Sequence, residues 1–111
     1  MARWFRRRKA REPRTATFDR EATRADLEHL RDFAKTRRGV EFYIEPETFA
    51  TDTTVVAIAS DGEWTRRRVG DPGNATNLAR SLSLPLYRAE VTGYPQRMRE
   101  WSARHPERGL G

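Results

Sequence analysis

This chain has 111 residues, 34% of them charged, and a formal net charge of +6. A chain of this length forms one compact domain at most. It contains no cysteine, which excludes disulfide bonds, thiolate metal sites and cysteine nucleophiles. A bilayer-spanning helix needs about 20 apolar residues, and the longest strictly apolar run covers only residues 55–59. We therefore expect no transmembrane segment.

The positive charge is concentrated at the start of the sequence. Residues 1–14 carry a net charge of +6, whereas residues 15–111 are neutral overall. We predict a disordered basic arm over residues 1–18, a single folded domain over 19–105 and a frayed tail over 106–111. The arm lacks the apolar stretch that follows the basic residues of a secretion signal, so we predict a cytoplasmic location.

The folded region begins with a helical pattern. Leu27, Leu30 and Phe33 recur at three-residue spacing, which places them on one side of a helix. Gly39 favours the left-handed backbone at which many helices end. The pattern predicts a helix over residues 20–38 with one buried face.

Three strands are predicted after this helix. Residues 40–45 alternate between apolar and polar side chains, which is typical of a half-buried strand. Asp61 and Gly62 favour a two-residue hairpin turn. We therefore predict a strand on each side of this turn, over residues 53–59 and 63–69.

The remaining elements give the fold class. Asp71 suits a helix N-cap and Pro72 the first helical position, so we predict a second helix to about Leu84. A fourth strand over 86–91 and a last helix over 95–104 follow. The order α-β-β-β-α-β-α predicts an α+β fold, with a four-stranded mixed or antiparallel sheet covered by helices.

The predicted hairpin register assigns side chains to the two faces of the sheet. A two-residue turn pairs Ala59 with Trp64 and places Trp64, Arg66 and Arg68 on one face, because side chains alternate along a strand. The side chains predicted to face the core are Val56, Ile58, Thr65, Arg67 and Val69. The exposed trio is a candidate platform for a planar anion or for a protein partner. The alternative is that arginine stems or the last helix shield the indole.

The basic arm is the strongest candidate for a binding segment. Its proposed contact residues are Arg3, Trp4, Phe5, Arg6, Arg7, Arg8, Lys9 and Arg11. The basic groups can neutralise phosphates, and the two aromatic rings can stack on bases or enter a lipid headgroup layer. Nucleic acid and an anionic membrane surface both fit this pattern, and a solubilising tail without a dedicated partner is the third interpretation.

Few residues indicate catalysis or metal binding. His29 lies between Asp26 and Asp32 at steps of three, a spacing that is also common on solvated helices. Neither His29 nor His105 has a neighbouring serine in a triad motif. We predict no catalytic residues, no metal site and no cofactor. A non-enzymatic binding or adaptor protein is favoured over an enzyme with an unrecognised cofactor pocket and over a protein–protein interaction module.

Three segments of the domain resemble a family of small uncharacterised proteins from high-GC Gram-positive bacteria. The segments are residues 39–46, 61–69 and 93–99, and the similarity covers about residues 20–104. Proteins of this family often carry a generic oxidoreductase label. The resemblance therefore implies a small oxidoreductase as an alternative function, without defined active-site residues to transfer.

Overall fold

The structure, a computed structural model, describes residues 13–49 and 51–108. Its helices are α1 (Pro13–Thr36), α2 (Pro72–Leu82), α3 (Ala89–Thr92) and α4 (Gln96–Arg104), and its strands are β1 (Glu41–Glu45), β2 (Thr53–Ile58), β3 (Trp64–Gly70) and β4 (Leu86–Arg88). This order confirms the predicted α+β fold and adds the short helix α3 before the last helix.

The four strands form one mixed sheet in the order β3-β2-β1-β4. The β1–β2 and β2–β3 pairs are antiparallel, and β4 pairs with β1 in parallel. The strands β3 and β4 therefore lie at opposite edges and run in the same direction, and α2 connects them.

The helix α1 begins at Pro13, well before the predicted start at residue 20. Proline is well suited to the first turn of a helix, because its fixed φ is helical and no backbone N–H is needed there. Residues 13–18 of the predicted arm thus belong to α1, and residues 1–12 lie outside the described residues. The helix ends at Thr36, two residues before the predicted end at residue 38, and Gly39 follows with the expected left-handed backbone, at φ of 61°.

Helices cover both faces of the sheet. On one face, α1 and α2 contribute Leu30 and Leu78 to a core that surrounds Phe42. On the other face, α4 contributes Met98 and Trp101 to a second core. Burying a large apolar side chain of this kind stabilises a protein by about 1.5–3 kcal/mol. The predicted sheet covered by helices is therefore confirmed, and the face that carries Trp64 is covered by α4.

The β2–β3 hairpin has three loop residues instead of the predicted two. The backbone N–H of Ala59 donates to the carbonyl of Glu63 at 2.8 Å, and that of Gly62 donates to the carbonyl of Ala59 at 2.9 Å. Gly62 has φ of 97°, as expected for a three-residue loop that ends in a left-handed glycine. Trp64 consequently pairs with Ile58.

This change of one residue in the register alters which side chains of β2 share a face with which side chains of β3. A slip of one position moves every side chain of a strand to the other face. Val56 and Ile58 therefore share a face with Trp64, whereas Val69 shares the opposite face with Val55. The predicted core set of Val56, Ile58, Thr65, Arg67 and Val69 is thus divided between the two faces.

The second helix follows the sequence prediction closely at its start. The Asp71 carboxylate accepts a hydrogen bond from the backbone N–H of Asn74 at 3.0 Å, so Asp71 is the N-cap of α2 and Pro72 its first residue. The strand β4 is shorter than predicted and ends at Arg88, because the chain turns into α3.

The residues after α4 return to the body instead of fraying from residue 106. Residues 105–108 form a turn in which the Arg108 N–H donates to the His105 carbonyl at 2.9 Å. The Arg108 guanidinium lies 5.2 Å from the centre of a Trp101 ring and 3.6 Å from the Glu63 carboxylate. These contacts fix the turn against the hairpin and α4, while residues 109–111 lie outside the described residues.

Candidate functional site

The predicted polyanion-binding residues of the arm, Arg3 to Arg11, lie outside the described residues. The structure describes the helix that follows them in sequence, from Pro13 onward. The role assigned to these basic and aromatic side chains therefore stays a prediction.

The predicted platform around Trp64 is not open to solvent. Trp64 is 6% exposed and belongs to the core beneath α4. Its indole N–H donates to the Ser102 hydroxyl at 2.8 Å, and the Arg66 guanidinium lies 5.4 Å from its ring. The shielding alternative is confirmed, because both the last helix and an arginine cover the indole.

The two arginines beside Trp64 have different surroundings. Arg66 makes two contacts with the Glu45 carboxylate, at 3.0 and 3.1 Å. Arg68 is exposed on the edge strand β3, opposite Thr54, and has no ion pair within the described residues. Trp64 is buried beneath α4, so it offers no exposed ring face for stacking. A role of these three residues in a protein interface stays a prediction.

The Glu45 carboxylate is the centre of a polar network on the α4 side of the sheet. It accepts hydrogen bonds from the Thr54 hydroxyl at 2.5 Å, from the Tyr94 hydroxyl and from Arg66. Burial alone would raise the pKa of Glu45, but the hydrogen bonds from Thr54, Tyr94 and Arg66 outweigh it and lower the pKa. Burial and the bond to Glu45 raise the pKa of Tyr94 to about 12.

A second carboxylate on the same strand has a matching set of partners. Glu41 accepts hydrogen bonds from Arg97 at 2.8 Å and from the Tyr43 hydroxyl at 2.9 Å. Arg97 also donates to the Ala59 carbonyl at 2.9 Å. Burial and the hydrogen bond to Glu41 raise the pKa of Tyr43 to about 12.

These two networks connect β1 to α4 and to the segment just before it. The ring of Tyr43 lies between those of Tyr87 and Tyr94, with centroid distances of 5.3 and 5.9 Å. Each carboxylate is engaged by an arginine and a tyrosine, so the arrangement stabilises the docking of α4. The alternation over residues 40–45 places Glu41, Tyr43 and Glu45 on one face of the strand, but it does not reveal their partners in and before α4.

A cleft of about 180 Å³ lies between α1 and the hairpin. It is lined by His29, Asp32, Phe33, Arg37, Glu63, Thr65 and Arg108. His29 Nε2 lies 2.8 Å from the Thr65 hydroxyl, and His29 Nδ1 lies 3.4 Å from an Arg67 nitrogen. Arginine can only donate, so we infer that Nδ1 accepts and that the neutral ring donates from Nε2.

The charged groups of this cleft pair with one another. Burial and the neighbouring Arg67 lower the pKa of His29. Arg37 contacts both oxygens of Glu63, at 3.2 and 2.8 Å, and its hydrogen bond lowers the pKa of Glu63. The cleft is thus lined by internal pairs that join α1 to the hairpin.

Asp26 and His29, which are three residues apart on α1, have a structural role because both contact Arg67 of β3. Asp26 lies 3.4 Å from Arg67, which also contacts His29. Within the part of the chain that the structure describes, no group of three potential metal ligands is present.

The comparisons with known proteins leave the family prediction untested. No protein family, no curated protein sequence and no solved structure matches this chain. The resemblance to the family with the oxidoreductase label, and the function that it implies, therefore stay predictions. None of the helices within the described residues is both long and apolar enough to span a membrane.

Proposed function

We propose that this chain is a cytoplasmic, non-enzymatic binding protein whose basic arm binds nucleic acid. One observation carries the proposal: the surplus of positive charge lies in residues 1–14, and the rest of the sequence is neutral. Phosphates neutralised by lysine and arginine supply most of the affinity in sequence-independent binding to nucleic acid. The arm combines that charge with two aromatic side chains, Trp4 and Phe5.

The arginine–carboxylate pairs of the folded body support this division of roles. Arg37 binds Glu63 and Arg66 binds Glu45 through two nitrogen–oxygen contacts each. Such forked pairs have defined geometry, and both join separate parts of the fold. Their charge is used to hold the domain together, whereas the charge of the arm has no acidic counterpart nearby in sequence beyond Glu12.

The sequence of the arm favours nucleic acid over a membrane surface. A helix lying in a membrane interface needs a continuing apolar face at three-to-four spacing. At that spacing after Trp4 and Phe5, the residues are Arg7, Arg8 and Lys9. After Met1, the large apolar side chains of residues 1–12 are therefore confined to two adjacent positions, and arginine-rich segments suit the forked contacts that phosphate oxygens accept.

Binding of the full chain to labelled nucleic acid tests the proposal. We compare Arg6→Gln/Arg7→Gln/Arg8→Gln with a control variant of equal charge change, Arg68→Gln/Arg99→Gln/Arg104→Gln, in fluorescence anisotropy with duplex DNA and single-stranded RNA. The control residues are exposed and lie outside the arm. We expect the arm variant to bind at least about 30-fold more weakly at 0.1 M salt, because three phosphate contacts are lost.

The same proteins are also mixed with vesicles of phosphatidylserine and phosphatidylcholine. Equal loss in the arm variant and in the control variant would contradict the proposal. Association with the vesicles in the absence of nucleic-acid binding would contradict it as well, and would assign the arm to a membrane surface.

A further inference from the structure

The cleft between α1 and the hairpin has the size of a small metabolite. Its volume is about 180 Å³. A cavity of about 150 Å³ accommodates benzene, a ring of about six non-hydrogen atoms. The cleft therefore has room for a molecule of about six to eight non-hydrogen atoms.

Thr65 brings one unused hydrogen-bond donor to this cleft. The residue is 8% exposed. Its hydroxyl oxygen accepts from His29 Nε2 at 2.8 Å, because Arg67 occupies the other ring nitrogen. Within the part of the chain that the structure describes, no acceptor takes the proton of this hydroxyl. A buried donor without an acceptor costs free energy, so this proton indicates an acceptor from outside the chain.

Two charged groups of the cleft are only weakly engaged by the protein. Asp32 is exposed, and its carboxylate has neither an ion pair nor a hydrogen bond among the described residues. The Arg108 guanidinium is 49% exposed and lies 3.6 Å from Glu63 and 3.4 Å from the Trp64 carbonyl. A strong charge-assisted hydrogen bond is shorter, at about 2.7–2.9 Å. One anion and one cation are therefore available to a ligand.

The other charged groups of the cleft neutralise each other. Arg37 contacts both oxygens of Glu63, at 3.2 and 2.8 Å. His29 is neutral, so the two arginines and the two acidic residues of the lining leave no net charge. Burying a charge is costly unless it is paired. A ligand with a single charge would leave Asp32 or Arg108 without a partner, whereas a zwitterion pairs with both.

We propose that this cleft binds a small zwitterion of the amino-acid class. The carboxylate of the ligand accepts hydrogen bonds from Thr65 and Arg108, and its ammonium group pairs with Asp32. An ammonium group fits better than a metal ion, because the described residues contain no group of three potential metal ligands. This binding function is separate from that of the arm, since every residue involved belongs to the folded body.

Nuclear magnetic resonance of the full chain with three probes tests the class of ligand. L-Alanine carries both charges, propionate lacks the ammonium group, and ethylammonium lacks the carboxylate. The resonances of the His29 ring and the Thr65 methyl group report binding in the cleft. We expect saturable shifts with L-alanine at a dissociation constant of about 10 mM or tighter. Each of the other two probes should bind at least about fivefold more weakly.

Two substitutions in the cleft have matched controls elsewhere in the fold. Asp32→Asn removes the exposed carboxylate, and Asp52→Asn removes another exposed carboxylate before β2. Thr65→Val removes the hydroxyl and keeps the β-branched shape, and Thr76→Val does the same on α2. We expect L-alanine to bind at least about threefold more weakly to Asp32→Asn and about tenfold more weakly to Thr65→Val. Both controls should bind it within about twofold of the unchanged chain.

The outcomes separate the site from the class of ligand. The absence of saturable shifts with L-alanine up to about 100 mM would overturn the proposal, and so would equal effects of Asp32→Asn and Asp52→Asn. Propionate that binds as tightly as L-alanine would overturn the assignment to a zwitterion. Circular dichroism shows whether Thr65→Val is folded, and the exposed Asp32 position decides the outcome if it is not.

The arm variant separates this proposal from the proposed function. Arg6→Gln/Arg7→Gln/Arg8→Gln should bind L-alanine like the unchanged chain, whatever its affinity for nucleic acid. A loss of L-alanine binding in this variant would contradict a site confined to the folded body. Failure of the arm to bind nucleic acid would leave the shifts with L-alanine unchanged.

Discussion

At Glu45, burial and hydrogen bonding act on the same carboxyl group in opposite directions. Burial disfavours the charged form, whereas three donors from three different parts of the chain favour it. The sequence places Glu45 next to Pro46, a context that is typical of an exposed turn. Its partners Arg66 and Tyr94 are far away in sequence, so the local pattern could not reveal them.

The hydroxyl of Tyr94 should contribute measurably to stability. Tyr94→Phe removes one donor to a partly buried carboxylate, and we expect it to lower the free energy of unfolding by about 1–2 kcal/mol. Tyr87→Phe is the matched control, because Tyr87 is 38% exposed and contacts its neighbour through the ring. Urea unfolding measures the free energy of unfolding of both variants. Equal effects of the two substitutions would contradict the role of the Glu45 network.

His29 should make stability depend on pH in the neutral range. Burial and the neighbouring Arg67 hold the pKa of His29 in the folded state below the ordinary histidine value of about 6.5, so the unfolded chain takes up the proton first as the pH falls. The stabilising contribution of neutral His29 is therefore present above about pH 6.5 and is lost below it. His29→Gln should flatten the change of the urea midpoint between pH 7 and pH 5, and an unchanged pH profile would contradict the neutral ring.

At the level of elements, the β2–β3 hairpin shows where local signals become ambiguous. A glycine at positive φ is needed in two-residue and three-residue loops alike, so Asp61 and Gly62 do not determine the register. The contact between Gly62 and α4 depends on residues 96–104, which lie far along the chain. A different signal was available: the apolar run over residues 55–59 is typical of a strand that is covered on both faces.

The helix α4 can pack closely on the β2–β3 hairpin because Gly62 has no side chain. A Cβ atom at this position would lie 2.1 Å from the Arg97 carbonyl oxygen, whereas a Cβ at Gly93 would meet nothing within 4 Å. Both glycines have positive φ, 97° and 67°. Gly93→Ala therefore measures the backbone strain alone, about 1–3 kcal/mol.

Gly62→Ala should be the more destabilising of the two substitutions. We expect it to cost about 1–3 kcal/mol beyond Gly93→Ala, because it adds steric overlap with α4. Urea unfolding gives the difference, and tryptophan fluorescence reports whether Trp64 and Trp101 become exposed. Equal costs at the two positions would show that α4 does not pack on the turn as described.

At the level of the whole molecule, local sequence patterns predicted the elements but not their arrangement. The cap at Asp71 and the glycine stop at Gly39 fix helix boundaries through interactions within a few residues. The parallel pairing of β4 with β1 joins segments more than 40 residues apart. No short pattern encodes such a pairing, and the same is true of the second core beneath α4.

The distribution of charge is also a property of the whole chain. The folded body pairs several of its arginines with carboxylates across separate elements, as at Arg37, Arg66 and Arg97. The sequence segregates the surplus into residues 1–14. This distribution is the basis of the proposal that a neutral folded body carries a polyanion-binding segment at one end.

The salt dependence of duplex binding by the full chain tests this account most directly. With six basic residues of the arm neutralising phosphates, the slope of log K against log salt should be about −5 or steeper. Arg6→Gln/Arg7→Gln/Arg8→Gln should reduce its magnitude by about 2 to 3, while Arg68→Gln/Arg99→Gln/Arg104→Gln should leave it unchanged. A slope near zero for the full chain, or the same slope in both variants, would contradict the account.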